Sequence, residues 1–136
     1  MGRIPTIEVA AGLIFRGRKL LISQRKKGSH LGGFWEFPGG KREGNESWQE
    51  CLSRELLEEL SIRVRVEEKI SESHHTYPEK AIHIAFFRCA LTGGEPVSAE
   101  GQNIRWVSRD ELENFAFPEA DAALVGLLKG GDEAWG

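Results

Sequence analysis

The sequence predicts an α/β or α+β fold, in which a mixed β-sheet is accompanied by few helices. Two kinds of pattern support this. Runs of β-branched and aromatic residues recur towards both ends of the chain, and one long amphipathic helical pattern lies between them. A chain of 136 residues is close to the usual size of one domain and can bury a real core. We therefore expect residues 1–136 to form a single domain.

The expected elements follow from hydrophobic periodicity and from the turn formers that separate the periodic segments. The third strand should end where Pro38 and two glycines interrupt it. Ser108 and Glu111 form a capping-box pattern that starts a short helix, and Pro118 opens the last helix. We expect strands at 6–15, 20–25, 34–40, 62–75, 80–91 and 103–108, helices at 46–60, 109–115 and 118–129, and a flexible tail at 130–136.

Composition excludes several classes of protein. A net charge of −3 argues against a general binder of nucleic-acid polymers, which normally presents a basic face. No apolar run reaches the roughly 18 residues that a membrane helix needs, and the first ten residues lack the apolar stretch of a secretory signal. We therefore expect a cytoplasmic protein with no membrane partner.

The cysteines and histidines do not suggest a metal or redox motif. Cys51 and Cys89 belong to no C-x-x-C pair, so we expect buried, reduced thiols. The histidines show no spacing typical of zinc ligands, and we expect polar residues of the surface or of strands at His30, His74, His75 and His83.

The helix expected at 46–60 combines an apolar stripe with a dense group of acids. Leucines recur at every fourth position from Leu52 to Leu60, which defines the buried face. Residues three and four apart are neighbours on a helix, so Glu55 lies beside both Glu58 and Glu59. Two like charges about 4 Å apart repel by roughly 4 kcal/mol at the effective dielectric of a protein surface. This helix carries no lysine that could pair with the acids, so the pattern indicates a binding site for a cation.

Carboxylate oxygens are hard ligands that suit Mg²⁺, with Mn²⁺ as an alternative ion. No stretch of the chain matches the spacing of an EF-hand calcium loop. Mg²⁺ usually takes one or two carboxylates together with waters and substrate phosphates, so three carboxylates could hold two or more ions that clamp a polyphosphate. An acidic protein could in this way bind an acidic substrate.

The same segment resembles the signature of a known family. Its residues fit the pattern G-x5-E-x7-R-E-U-x-E-E-x-G-U of the Nudix box, where U is bulky and apolar, at Gly40, Glu46, Arg54, Glu55, Leu56, Glu58, Glu59 and Ile62. Ser61 departs from the pattern, which has glycine at that position. The flanking segments "WEFPGGK", "EGQNIRW" and "FPEADAALV" are similar to the MutT-type branch in order and spacing. The resemblance covers nearly the whole chain.

This resemblance implies a Nudix-type α/β/α sandwich around a mixed sheet. It also implies an Mg²⁺-dependent hydrolase that converts a nucleoside triphosphate into the monophosphate and pyrophosphate. By similarity, Glu55, Glu58 and Glu59 bind metal together with the carbonyl of Gly39. Arg54 would orient Glu55. Glu100 would be a further acid that reaches the metals and serves as base.

The resemblance also implies residues that bind substrate. Arg25 aligns with an arginine that contacts the base, Lys41 is a candidate for phosphate binding, and Asp121 occupies the position at which this branch reads the purine. We expect an oxidised purine triphosphate such as 8-oxo-dGTP as substrate, and hence a role in sanitising the nucleotide pool. The alternatives are a pyrimidine nucleotide pyrophosphohydrolase of the CTP or dCTP type and a non-catalytic Nudix-fold module that binds a base.

Overall fold

The computed structural model describes residues 4–135. Seven strands form the sheet. The strands are β1 (Thr6–Arg16), β2 (Lys19–Gln24), β3 (Trp35–Glu36), β4 (Gly39–Lys41), β5 (Arg63–Thr76), β6 (Ala81–Gly93) and β7 (Ile104–Val107). The two α-helices are α1 (Trp48–Leu60) and α2 (Ala122–Lys129), and short 3₁₀ helices cover Arg109–Asn114, Glu119–Asp121 and Glu133–Trp135.

The sheet is mixed, as the sequence predicts. Strand β1 lies parallel to β6, with Thr6 opposite Ala81 and Ile14 opposite Cys89. The other neighbours of β1 are antiparallel, namely β4 along its middle and β2 at its end. Strands β5 and β6 form an antiparallel pair, and β2 pairs with both β3 and β7. The segment expected as one strand at 34–40 is two short strands, because Pro38 separates a part that pairs with β2 from a part that pairs with β1.

Apolar side chains cover both faces of the sheet, which confirms the sandwich architecture. On one face, α1 contributes Leu52, Leu56 and Leu60 to a buried cluster with even-numbered residues of β1 such as Ala10 and Ile14. On the other face, α2 packs its buried leucines against odd-numbered residues of β1. This second cluster includes Ala11, Leu13, Phe86, Leu124, Leu128 and Trp135. The buried cysteines are both free, as expected.

Helix α1 begins two residues later than expected, at Trp48, because Ser47 is its N-cap. The hydroxyl of Ser47 accepts a hydrogen bond from the Glu50 N–H at 3.0 Å, and the Glu50 carboxylate accepts one from the Ser47 N–H at 2.7 Å. The helix ends at Ser61, which adopts the left-handed conformation with φ 57° and ψ 31°. Serine thus keeps the geometry for which the Nudix pattern uses glycine, at a cost of about 1–2 kcal/mol.

The C-terminal segment differs from the flexible tail that the sequence suggested at 130–136. Trp135 is only 3% exposed, packs edge-on against Phe15 at 5.3 Å, and donates from Nε1 to the Leu128 carbonyl at 3.0 Å. The expected helix at 118–129 is a 3₁₀ turn followed by α2. Gly136 lies outside the described residues. Within residues 4–135, no helix combines the length and the apolar character needed to cross a bilayer.

Candidate active site

A Gly-Gly turn brings β4 against both β1 and α1. A Cβ at Gly39 would overlap the Ala10 carbonyl, and a Cβ at Gly40 would overlap the Glu55 carboxyl group. The first glycine therefore permits close approach of two backbones, and the second leaves room for an acidic side chain. The Gly39 carbonyl, proposed as a metal ligand, thus lies in the strand that faces the acidic helix.

Arg54 ties the acids of α1 to the loop before the helix. Its guanidinium contacts Glu46 at 2.7 Å, Glu55 at 2.9 Å and Glu58 at 3.4 Å, and it donates to the Lys41 carbonyl at 3.2 Å. The hydrogen bonds from Arg54 lower the pKa of Glu46 to about 2, so Glu46 stays ionised. Glu46 thus holds the arginine in place, and the neighbouring Ser47 caps the helix. The expectation that Arg54 orients Glu55 agrees with this geometry.

The three acids of the α1 patch differ in their surroundings. Glu55 is only 14% exposed and Glu59 is open to solvent, and both line a cavity of about 400 Å³. Glu58 has a side chain that is 59% exposed and belongs to the rim of the patch. Partial desolvation, followed by the charge of Glu55, raises the pKa of Glu59 to about 8. Two acids therefore repel each other at the cavity wall.

This donor set fits a divalent metal ion. The side-chain oxygens are carboxylates, the ligands that Mg²⁺ prefers, and they face a cavity that could admit phosphates. A bound cation would offset both causes of the raised pKa of Glu59, which are desolvation first and the charge of Glu55 second. Glu55 and Glu59 are the best placed to hold it, and Glu58 and the Gly39 carbonyl complete the predicted set.

Glu100 lies near the acids of α1, but its carboxylate is paired elsewhere. The N–H of the preceding residue, Ala99, donates to the Glu59 carbonyl at 2.8 Å, and the charge of Glu100 contributes to the raised pKa of Glu59. The Glu100 carboxylate pairs with Lys26 at 2.7 Å, beside a smaller cavity of about 300 Å³, and Glu100 is not among the residues that line the larger cavity. A direct catalytic role for Glu100 would require the exposed Lys26 pair to break.

The larger cavity has an apolar wall and a group of polar residues. Ile7, Val9, Ile82, Ile84 and Phe86 project into it from β1 and β6. The cavity is also lined by polar residues from three segments that are distant in the sequence, Arg25, Glu36 and Asp121. The charge of Glu36 contributes to the raised pKa of Glu59, so this polar group and the acids of α1 influence each other. The cavity can thus hold a metal-bound phosphate chain beside its acids and an uncharged ring against its apolar wall.

The polar group formed by Arg25, Glu36 and Asp121 contains two acids and one arginine. Arg25 donates to Glu36 at 2.8 Å and to the His30 carbonyl at 2.7 Å. Burial raises the pKa of Glu36. Asp121 is only 5% exposed, and burial, together with the charge of Glu36, raises the pKa of Asp121 to about 7. It is the N-cap residue of α2 but makes no side-chain capping hydrogen bond to that helix.

Sequence reasoning had placed Arg25, Lys41 and Asp121 at the substrate site, and all three line the cavity. It had missed Glu36 and Tyr77, which line the same cavity. Glu36 lies in the segment "WEFPGGK" that carries the resemblance, but strand alternation does not single it out, because Phe37 next to it lines the same cavity.

The raised pKa of Asp121 predicts an effect on stability. Its folded pKa of about 7 exceeds the ordinary 3.8, so the folded protein binds more protons than the unfolded chain between these values. Stability should therefore fall as pH rises through this window. Asp121→Asn removes the free-energy cost of ionising a buried carboxyl group. We therefore expect this substitution to raise the free energy of unfolding by about 1–3 kcal/mol above pH 7 and to change it little near pH 4.

Denaturant unfolding of both proteins at the two pH values measures this difference. Asp132→Asn is the matched control, because Arg109 lowers the pKa of that exposed acid. Asp132→Asn should therefore give no gain in the free energy of unfolding at high pH. Equal stability of the Asp121→Asn variant and the parent above pH 7 would contradict a buried, uncompensated carboxyl group at this position.

Comparison with known proteins agrees with the geometry. Residues 10–127 match the family model described as the NUDIX domain. The chain belongs to this family. The chain is 36% identical over 123 residues to an 8-oxo-dGTP diphosphatase of Haemophilus influenzae, with 90% of each protein covered. It is 35% identical over 119 residues to a CTP pyrophosphohydrolase of Escherichia coli, with 88% of each covered.

A solved MutT structure, described for Aliivibrio salmonicida and Vibrio cholerae, matches this Nudix domain with a TM-score of 0.73 at 34% identity. The match covers 92% of this chain and 98% of the other. The family assignment and the α+β sandwich inferred from the Nudix box are thereby confirmed.

Proposed function

We propose that this Nudix domain is a divalent-metal-dependent pyrophosphohydrolase that converts a nucleoside triphosphate into the monophosphate and pyrophosphate. One observation supports it most directly. Glu55 and Glu59 line the same cavity as Arg25, Glu36 and Asp121. One cavity thus offers both acids for a metal and hydrogen-bonding groups for a base.

Each group of the chain has a distinct task in this proposal. Mg²⁺, or Mn²⁺ in its place, would supply charge neutralisation of the phosphates and a water of lowered pKa. Glu55, Glu58, Glu59 and the Gly39 carbonyl hold the metal, and Arg54 keeps Glu55 in place. Glu100 would join them only after leaving Lys26. Lys41, on the cavity wall, binds phosphate oxygens.

The relatives support two classes of base. Several curated relatives are 8-oxo-dGTP diphosphatases, and one of similar identity is a CTP pyrophosphohydrolase. We favour an oxidised purine such as 8-oxo-dGTP. With a pKa of about 7, a protonated Asp121 carboxyl group can donate a hydrogen bond to a ring carbonyl while Glu36 accepts one from a neighbouring N–H. In that case the enzyme removes damaged nucleotides from the cytoplasmic pool before they enter DNA.

The metal and the reaction are tested with one assay. Purified protein and Mg²⁺ are given 8-oxo-dGTP, dGTP, CTP and dCTP, and the products are identified. We expect monophosphate and pyrophosphate from at least one nucleotide, and loss of the reaction when a chelator is added. Hydrolysis that survives chelation would contradict the role of the acids, and a preference for CTP or dCTP would favour the pyrimidine alternative.

Asp121→Ala tests the recognition of the base separately from the metal-dependent reaction. The loss of a buried partner should lower kcat/KM for the preferred nucleotide by about 1–3 kcal/mol in transition-state binding, or roughly 5- to 150-fold, and should flatten the preference among bases. Metal dependence should remain. If kcat/KM falls by the same factor for every nucleotide, Asp121 does not read the base. Asp132→Ala, an exposed aspartate outside the cavity lining, is the control.

A further inference from the structure

A second group of metal-binding side chains lies on the sheet face that packs against α1. His83 of β6 is opposite His74 of β5 in the antiparallel register, and Glu72 is two residues before His74 on the same face of β5. These residues face away from the substrate cavity, because their alternate neighbours Ile82 and Ile84 line it. The group is thus separate from the proposed nucleotide site.

The three side chains converge. Glu72 Oε2 lies 2.7 Å from His83 Nε2, and the imidazole rings of His74 and His83 stack with centroids 4.0 Å apart and planes at 19°. One ligand atom from each residue lies within 4.8 Å of the others. Both histidines are strand residues, as expected, and strand pairing brings together these two positions, which are nine apart in the sequence.

Neighbouring residues hold the group in place. The Trp48 ring packs edge-on against His83, with ring centroids 5.2 Å apart. Lys69 donates to Glu72 Oε1 at 2.9 Å, which leaves Oε2 directed at the histidines. His83 is half-buried between these contacts, whereas His74 and Glu72 are exposed and free to adjust.

We propose that Glu72, His74 and His83 form a metal site for Zn²⁺ or a similar imidazole-preferring ion such as Ni²⁺. Two imidazoles and one carboxylate are three protein ligands of the kinds that zinc takes, with a fourth position left for water. Tetrahedral zinc holds such ligands about 3.3 Å apart, so a separation of up to 4.8 Å closes by rotation of exposed side chains. The ion would take the place of the direct contact between His83 Nε2 and Glu72 Oε2. Mg²⁺ prefers oxygen ligands and would not compete.

The test is a Zn²⁺ titration of the full chain in excess Mg²⁺, which keeps the α1 carboxylates occupied. Calorimetry gives the stoichiometry, and the imidazole signals of His74 and His83 are followed by NMR. We expect one equivalent of Zn²⁺ to bind and to shift the signals of both rings. His74→Ala should weaken binding by at least about tenfold, and because His74 is exposed this variant should remain folded.

His75→Ala is the matched control, because His75 is adjacent in the sequence but pairs with Ile82 on the opposite face. We expect it to bind Zn²⁺ as the parent does. The proposal is overturned if no zinc binds under these conditions, if His74→Ala binds as tightly as the parent, or if His75→Ala loses as much affinity as His74→Ala. None of these outcomes bears on nucleotide hydrolysis.

Discussion

Replacing Glu59 by glutamine should reduce Mg²⁺-dependent turnover by roughly 10³-fold, because removal of one metal-binding charge sacrifices several kcal/mol of transition-state stabilisation. The fold should survive, since Glu59 lies outside the buried leucine stripe of α1. Thermal stability should even rise slightly, because Glu59 is repelled by Glu55 and carries a raised pKa. Steady-state kinetics and a melting curve on the same preparation measure both effects.

Glu113→Gln is the matched control for this experiment. Glu113 is an exposed glutamate in the 3₁₀ helix Arg109–Asn114, on the other face of the sheet. Its loss should leave turnover unchanged. If Glu59→Gln retains near-normal turnover, Glu59 is an ordinary solvated residue and the metal site must be built without it.

Gly40→Ala should reduce turnover by about 10²-fold without unfolding the protein. The added methyl group would overlap the Glu55 carboxyl group, so the acid must move from its position beside Arg54. A displacement of about 1 Å at a reacting centre commonly costs this much. Because the obstacle is a side chain that can rotate, the backbone of β4 should keep its place.

Substitutions at two other glycines give the expected upper and lower limits of the effect on stability. Gly39→Ala would meet the Ala10 backbone, which cannot move aside, so we expect loss of folded protein. Gly126→Ala adds a methyl group in open space within α2 and should stabilise the protein by about 0.5–1 kcal/mol. Full activity of Gly40→Ala would mean that the position of Glu55 is not critical for the reaction.

The sequence predicted most of the fold because local signals agreed with the tertiary structure. Six predicted strands correspond to observed ones, and the acidic helix was displaced by only two residues at its start. The α1 acids could be found because a helix brings residues three and four apart together. The carboxylate–arginine contacts of Arg54 follow from the same spacing and from the preceding loop.

The features that the sequence did not reveal depend on pairing between distant segments. Glu36 lines the cavity together with Asp121 because β3 and the turn before α2 are neighbours only in the folded chain. The His74–His83 pair depends on the register of β5 and β6, which contains bulges. Trp135 was assigned to a loose tail because nothing local shows that its indole packs against Phe15.

The parallel pairing of β1 with β6 has a consequence for the order in which the chain folds. The β1–β2 and β5–β6 hairpins join neighbours and can form early, whereas the central β1–β6 ladder must close a loop that contains α1 and four other strands. Such closure is entropically costly and slow. During synthesis on the ribosome, the edge of β1 that will pair with β6 stays unpaired until β6 has been made. Strand β1 is therefore the segment most in need of protection from association with other chains.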